Sequence, residues 1–187
     1  MNSSKTKILV ECAIMIALSA VLSMVQVFKM PLGGSITLFS MLPVCLFSIK
    51  NGVKWGFACT FVYALVQIAL DLSALMSWGL TPTMWVGSLI FDYLIAYSIL
   101  GIAGIFRNKG RTGIIMGIII AMVLRFISHF ISGVIFFAIW CPKGWSPLPY
   151  SIVYNGAYML PEMIFTIIGA VLIYPVIKRF LPIKETV

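Results

Sequence analysis

The chain has 187 residues, of which 61% are hydrophobic and only 10% charged, with a net charge of +8 and a mean hydropathy of +1.10. A soluble domain carries roughly 25% charged residues, so this composition excludes a water-soluble globular domain and makes lipid the solvent. The basic residues lie between apolar runs rather than in one patch, which excludes a nucleic-acid surface and assigns the positive charge to membrane topology.

Six apolar stretches follow in chain order, over residues 8–27, 36–49, 53–72, 84–105, 113–139 and 151–177. The expectation is one transmembrane domain over residues 1–187, an all-α membrane protein with six transmembrane helices. The first stretch has the length of a span and lacks a small-residue cleavage site, so it is expected to remain in the mature chain. The second falls short of the roughly 20 residues a span needs, so it is expected to be tilted, covered by neighbours or interrupted near Pro43. Turn chemistry separates the stretches at Pro31 to Gly34, Lys50 to Gly52, Thr81-Pro82, Arg107 to Gly110 and Pro142 to Gly144.

Charge sets the orientation. With the N-terminus inside, the cytoplasmic side carries Lys5, Lys7, Lys50, Lys54, Arg107, Lys109, Arg111, Lys178, Arg179 and Lys184. The outer side keeps Lys29 and Lys143, and both termini are cytoplasmic by the positive-inside rule. Arg125 is left within a span and needs a partner or a function.

Ionisable groups at membrane depth cost several kcal/mol and face a cavity or each other. Asp71, Asp92, Arg125, His129 and Glu162 are placed in the outer half or near the middle, with Glu11 near the cytoplasmic end of the first span. Four stripes at helical spacing carry them. They are Tyr63, Gln67 and Asp71; Trp85, Ser88 and Asp92; Arg125, His129 and Gly133 with Phe136 or Phe137; and Tyr150, Tyr154, Tyr158 and Glu162 with Asn155. Rings mixed with carboxylates and amides suit a flat, polar, cationic ligand entering from outside. Against this, Trp78, Trp140 and Trp145 read as interfacial anchors. Arg125 has a structural reading as the partner of Asp92 or Glu162, and Asp71 as a solvated helix end.

Cys12, Cys45, Cys59 and Cys141 form no CxxC pair and read as small hydrophobes. One histidine and scattered cysteines make a metal site unexpected. Neither a phosphate-binding GxxxxGK[ST] loop nor a GxSxG serine motif is present, so an enzyme or a self-powered ATPase is not expected. No cofactor is implied.

Four blocks carry a resemblance: Met30 to Pro43 (MPLGGSITLFSMLP), Asp92 to Gly104 (DYLIAYSILGIAG), Arg125 to Gly133 (RFISHFISG), and Tyr150 to Gly156 (YSIVYNG) followed by Leu160 to Glu162 (LPE). Together they make the chain similar, over essentially its whole length, to the thiamine-specific substrate-binding (S) components of energy-coupling factor vitamin transporters. The resemblance implies high-affinity thiamine uptake across the cell membrane, with thiamine, membrane lipid, a transmembrane coupling subunit and two cytoplasmic ATPases as partners, and no nucleic acid. It places Asp92, Tyr93, Arg125, His129, Tyr150 and Asn155 in the thiamine pocket, with Phe137 and Tyr63 as flanking rings. It assigns Ala13 and Ala17, a small-xxx-small pair, to the coupling-subunit contact. Where some members carry an aromatic and an acid, this chain has Gly33, Gly34, Ser35 and Leu38, so Trp85 or Tyr63 becomes the candidate stacking ring. The 28–36 segment is the candidate lid. The alternatives are an S component for another vitamin or a pyrimidine precursor, and a solitary proton-coupled carrier using His129, Asp92 or Glu162.

Overall fold

A computed structural model describes residues 3–31 and 33–181; Leu32 and Lys184 lie outside the described residues. Among the described residues, five helices are long and apolar enough to cross a membrane, and a sixth is short. In chain order, α1 is Ser3–Met24, α2 Leu42–Asn51, α3 Val53–Ser77, α4 Pro82–Phe106, α5 Gly110–Ile135 and α6 Pro147–Ile177.

The expected 36–49 span is divided. Its first residues form strand β2 (Ser35–Thr37), paired antiparallel with β1 (Gln26–Lys29), with a bulge between Gln26 and Phe28. A turn with Phe39 at φ 63° then leads into α2. Pro43 sits in the first turn of that helix, where its missing N–H has no helical partner to lose, so it starts the helix instead of interrupting it. Ten residues rise only about 15 Å, half the hydrocarbon thickness. The short helix is tolerated because neighbours enclose it: Val44, Cys45, Phe47 and Ile49 are fully buried. The hairpin occupies the remaining depth on the outer side.

The inner half of the bundle is closed by close approach of small residues. Ser48 Oγ donates to the Gly101 carbonyl at 2.5 Å and accepts from Gly104 N–H at 3.1 Å, tying α2 to α4. A Cβ on Gly101 would strike the Phe57 backbone, so α3 and α4 touch there only because the residue is glycine. Leu100, Ile114 and Ile118 complete this apolar core.

The helix α4 is irregular in a way no sequence pattern indicated. It is capped by Thr81, whose Oγ1 accepts from Met84 N–H at 3.4 Å, and runs as α-helix to Ser88. Leu89–Ile95 is π-helical, and Ile99–Phe106 ends the rod as a 3₁₀ helix. Such wide turns insert an extra residue and re-aim side chains, and they concentrate at functional sites. This one contains Asp92 and Tyr93. The helix α1 is the least buried: Ile16 and Ser19 alone among its described side chains are buried, and Ala13 and Ala17 lie on its exposed face.

Candidate ligand-binding site

Above the inner core lies a cavity of about 390 Å³, bounded by the outer halves of α3, α4, α5 and α6 and roofed by the hairpin. That volume is within the range of small-molecule sites. Each wall brings a different chemistry.

The α4 and α5 walls meet through Asp92. Its Oδ1 lies 3.0 Å from His129 Nδ1, and its Oδ2 accepts from Ser132 Oγ at 2.7 Å and Ser88 Oγ at 2.9 Å. A carboxylate accepts only, so Nδ1 is the donor and Nε2 is left as the free ring position. That Nε2 is buried and has no hydrogen-bond partner. A buried polar atom without a partner is uncommon and calls for an explanation.

The floor is an ion pair. Arg125 Nη1 and Glu162 Oε2 are 3.0 Å apart, with both side chains almost wholly buried. Glu162 Oε1 also accepts from Thr37 Oγ1 at 2.5 Å and from Thr37 N–H at 3.3 Å. The hairpin is therefore pinned to α6 and, through Arg125, to α5. The guanidinium lies 4.8 Å from the Tyr97 ring centroid, a cation–π contact in a dry setting.

On α6, Asn155 is held on both sides. Its Nδ2 donates to the Ser151 carbonyl at 3.0 Å and to Ser151 Oγ at 3.1 Å, while its Oδ1 accepts from Tyr158 Oη at 2.9 Å. Gly133 on α5 lets this wall come close, since a Cβ there would meet Ser151 Oγ and Asn155 Nδ2. Tyr150, Tyr154 and Tyr158 form a ladder with ring centroids 5.8 and 6.2 Å apart, and Tyr158 also meets the His129 ring edge-on.

The α3 wall carries Gln67, Asp71, Ala74 and Trp78 at helical spacing. Asp71 accepts from Tyr93 Oη at 3.0 Å and, among the described residues, has no ion-pair partner.

Seven of the eight expected substrate-binding residues line this one cavity: Asp92, Tyr93, Arg125, His129, Phe137, Tyr150 and Asn155. Tyr63 does not. It is fully buried behind the wall, where its Oη accepts from Gln67 Nε2 at 2.7 Å, so it supports a lining residue instead of lining the site. Trp85, the other candidate ring, is also absent from the lining, whereas Trp78, expected as an interfacial anchor, is part of it. Tyr97, Thr37 and Ser40 also line the cavity and were not singled out; only their short polar or phenolic side chains in apolar runs could have marked them. The structural reading of Arg125 holds in one respect, since its carboxylate partner is Glu162 and not Asp92.

A helical membrane bundle that encloses a polar, aromatic-walled chamber beneath an outer hairpin is built as a small-molecule carrier. The family model described as thiamine transporter protein matches residues 9–181, and the chain belongs to that family. The curated thiamine transporter ThiT of Bacillus subtilis (strain 168) is 33% identical over 196 residues, covering 97% of each chain. A solved structure of ThiT from Listeria monocytogenes superposes with a TM-score of 0.78 at 24% identity, covering 95% of this chain and 98% of that one. The protein is thus a multi-pass transporter of the cell membrane and not an enzyme.

Proposed function

We propose that the cavity binds thiamine and that residues 1–187 form one substrate-binding domain, the S component of an energy-coupling factor transporter. The observation that carries this reading is the pairing of carboxylates with aromatic rings around one chamber. Thiamine is a flat aminopyrimidine joined to a permanently cationic thiazolium, and each half has a partner here. The aminopyrimidine offers amine hydrogens and ring nitrogens, which suit the amide of Asn155 and the unpartnered Nε2 of His129. The cation is matched by an acid: Glu162 is already neutralised by Arg125, and Asp92 is engaged by His129, which leaves Asp71 as the cavity carboxylate without a direct ion pair among the described residues, with Lys29 acting on it at longer range. Tyr150 and Phe137 flank the ligand as rings.

Transport energy comes from elsewhere in this reading. The chain has no nucleotide-binding loop. The exposed Ala13 and Ala17 on the least buried helix offer close backbone approach to a coupling subunit that carries two cytoplasmic ATPases. The remaining apolar surface of the spans faces lipid.

The test is thiamine binding to the purified chain in detergent, followed by equilibrium dialysis and by tryptophan fluorescence, with riboflavin and biotin as controls. Saturable sub-micromolar binding of thiamine alone is the expected result. Equal binding of the controls, or none of thiamine at millimolar concentration, removes the reading. Uptake by cells with and without the ATPase module then decides between a coupled subunit and a solitary carrier.

A further inference from the structure

The cytoplasmic end of the bundle is basic, and the positive-inside rule accounts for the sign of those charges but not for their arrangement. Three cations from separate segments converge there beside one exposed ring. Phe180 ends the 3₁₀ turn Lys178–Phe180 that follows α6, and it is 59% exposed. Its neighbours Ile177 and Leu181 pack against the apolar core, so the turn is anchored while the ring stands free of it. Lys50 Nζ, from the end of α2, lies 5.5 Å from the ring centroid, and Arg179 Cζ lies 5.9 Å from it. Arg107, just past the end of α4, donates from Nη1 to the Lys50 carbonyl at 2.9 Å. A Cβ on Gly52 would crowd that guanidinium, so the α2–α3 turn leaves room for it.

Little at this corner cancels the charge. A ring face attracts a cation through its quadrupole and leaves the charge in place. Glu11 pairs with Lys50 at 2.8 Å, and the other described carboxylates, Asp71, Asp92 and Glu162, line the outer cavity. Among the described residues neither Arg107 nor Arg179 has an ion pair, although Arg179 is steadied by its Nε donating to the Val176 carbonyl at 3.1 Å.

We propose that this corner is a binding site for an anionic glycerophospholipid of the inner leaflet. Lys50, Arg107 and Arg179 hold the phosphodiester, and the Phe180 ring lies against the glycerol and the first methylenes of an acyl chain. All four residues lie at the cytoplasmic ends of membrane-embedded helices, where phosphates of the headgroups are found, and basic side chains at that level attract anionic lipid. A phospholipid meets both halves of the site, whereas a soluble phosphate leaves the exposed ring unused. The occupant clasps the ends of α2, α4 and α6 from outside the bundle. The assignment is independent of which molecule the outer cavity binds.

The experiment is native mass spectrometry of the full chain in mixed micelles, titrated with phosphatidylglycerol or phosphatidylcholine. The wild-type chain should retain phosphatidylglycerol in preference to phosphatidylcholine. Lys50→Gln with Arg179→Gln should weaken that retention roughly 10- to 30-fold. Arg179→Gln alone leaves the Lys50–Glu11 pair intact, should weaken it about fivefold, and stands in if the double variant does not fold. The control is Lys5→Gln with Arg111→Gln, which removes the same charge from exposed positions on the same side and should stay within about twofold of wild type. An equal loss in the control overturns the site in favour of a diffuse basic field, and equal retention of phosphatidylcholine does the same. Displacement of the lipid by soluble glycerol phosphate at matched concentration overturns it in favour of a free phosphate ester. No lipid preference in the wild-type chain, together with lost co-purification of a coupling subunit in the double variant, overturns it in favour of an acidic protein face.

Discussion

Glu162→Gln is the most informative single change for the architecture. The amide keeps an oxygen for the Thr37 N–H and hydroxyl, so the hairpin attachment survives in outline. What it removes is the charge facing Arg125 Nη1 at 3.0 Å, and it puts an N–H₂ donor opposite another donor. With the two side chains only 4% and 3% exposed, water cannot replace the lost partner. Arg125 Nε is already without a hydrogen bond, so the guanidinium has little left to satisfy it apart from the Tyr97 ring. Breaking a buried pair by removing one partner costs about 3–5 kcal/mol, whereas replacing both by apolar residues of similar size is often near neutral. Glu162→Gln should therefore lower unfolding stability by about 3 kcal/mol or more in a mixed-micelle denaturation titration, and the double variant Arg125→Met with Glu162→Met should recover most of it. A single variant within about 1 kcal/mol of wild type would refute the idea that this pair anchors the cavity floor. So would a double variant less stable than the single one.

Further outcomes follow from the same geometry. Asp92→Asn turns one acceptor of the Ser88, Ser132 and His129 contacts into a donor, and should weaken thiamine binding by roughly 10- to 100-fold in equilibrium dialysis while the chain still inserts and folds. Tyr63→Phe removes only the bond from Gln67 behind the wall. It should lower stability by about 1 kcal/mol and leave thiamine affinity within about threefold, and a larger affinity loss would mean that Tyr63 reaches the ligand. Ala17→Trp places bulk on the exposed face of α1, so binding in detergent should be unchanged while ATP-driven uptake in cells is lost; normal uptake would move the coupling contact elsewhere.

Much of the site was legible because helical spacing is a local property. Arg125, His129 and Gly133 had to share a face of α5, as did Tyr150, Tyr154 and Tyr158 on α6, whatever those helices packed against. The α3 stripe was less secure for a geometric reason. Steps of four residues advance about 40° beyond a full turn, so Tyr63 and Asp71 differ by about 80° in direction. That rotation sends Tyr63 into the core and Asp71 into the chamber.

The hairpin and the start of α2 were not legible, since in lipid both a buried ribbon and a helix read as apolar runs. Only tertiary contact, here Glu162 with Thr37, decides between them. The place of Trp78 in the cavity lining was not legible because a tryptophan near a span end ordinarily reads as interfacial, and the hairpin glycine its ring abuts is distant in sequence.

The wide turn of α4 has an effect on how the protein can change over time. Below it, the rod is fixed in register by the Ser48 contacts to Gly101 and Gly104. Above it, the same rod presents Asp92 and Tyr93 to the chamber. One surplus residue within Leu89–Ile95 works like a slipped tooth between two gears, letting the ligand-facing segment be phased independently of the segment that seals the cytoplasmic side. Deleting a single residue there would restore a regular α-helix with the flanking segments near their present phase, and would re-aim the side chains of the wide turn itself, Asp92 and Tyr93 among them. The carboxylate would then leave the chamber although every side chain in the site had been preserved.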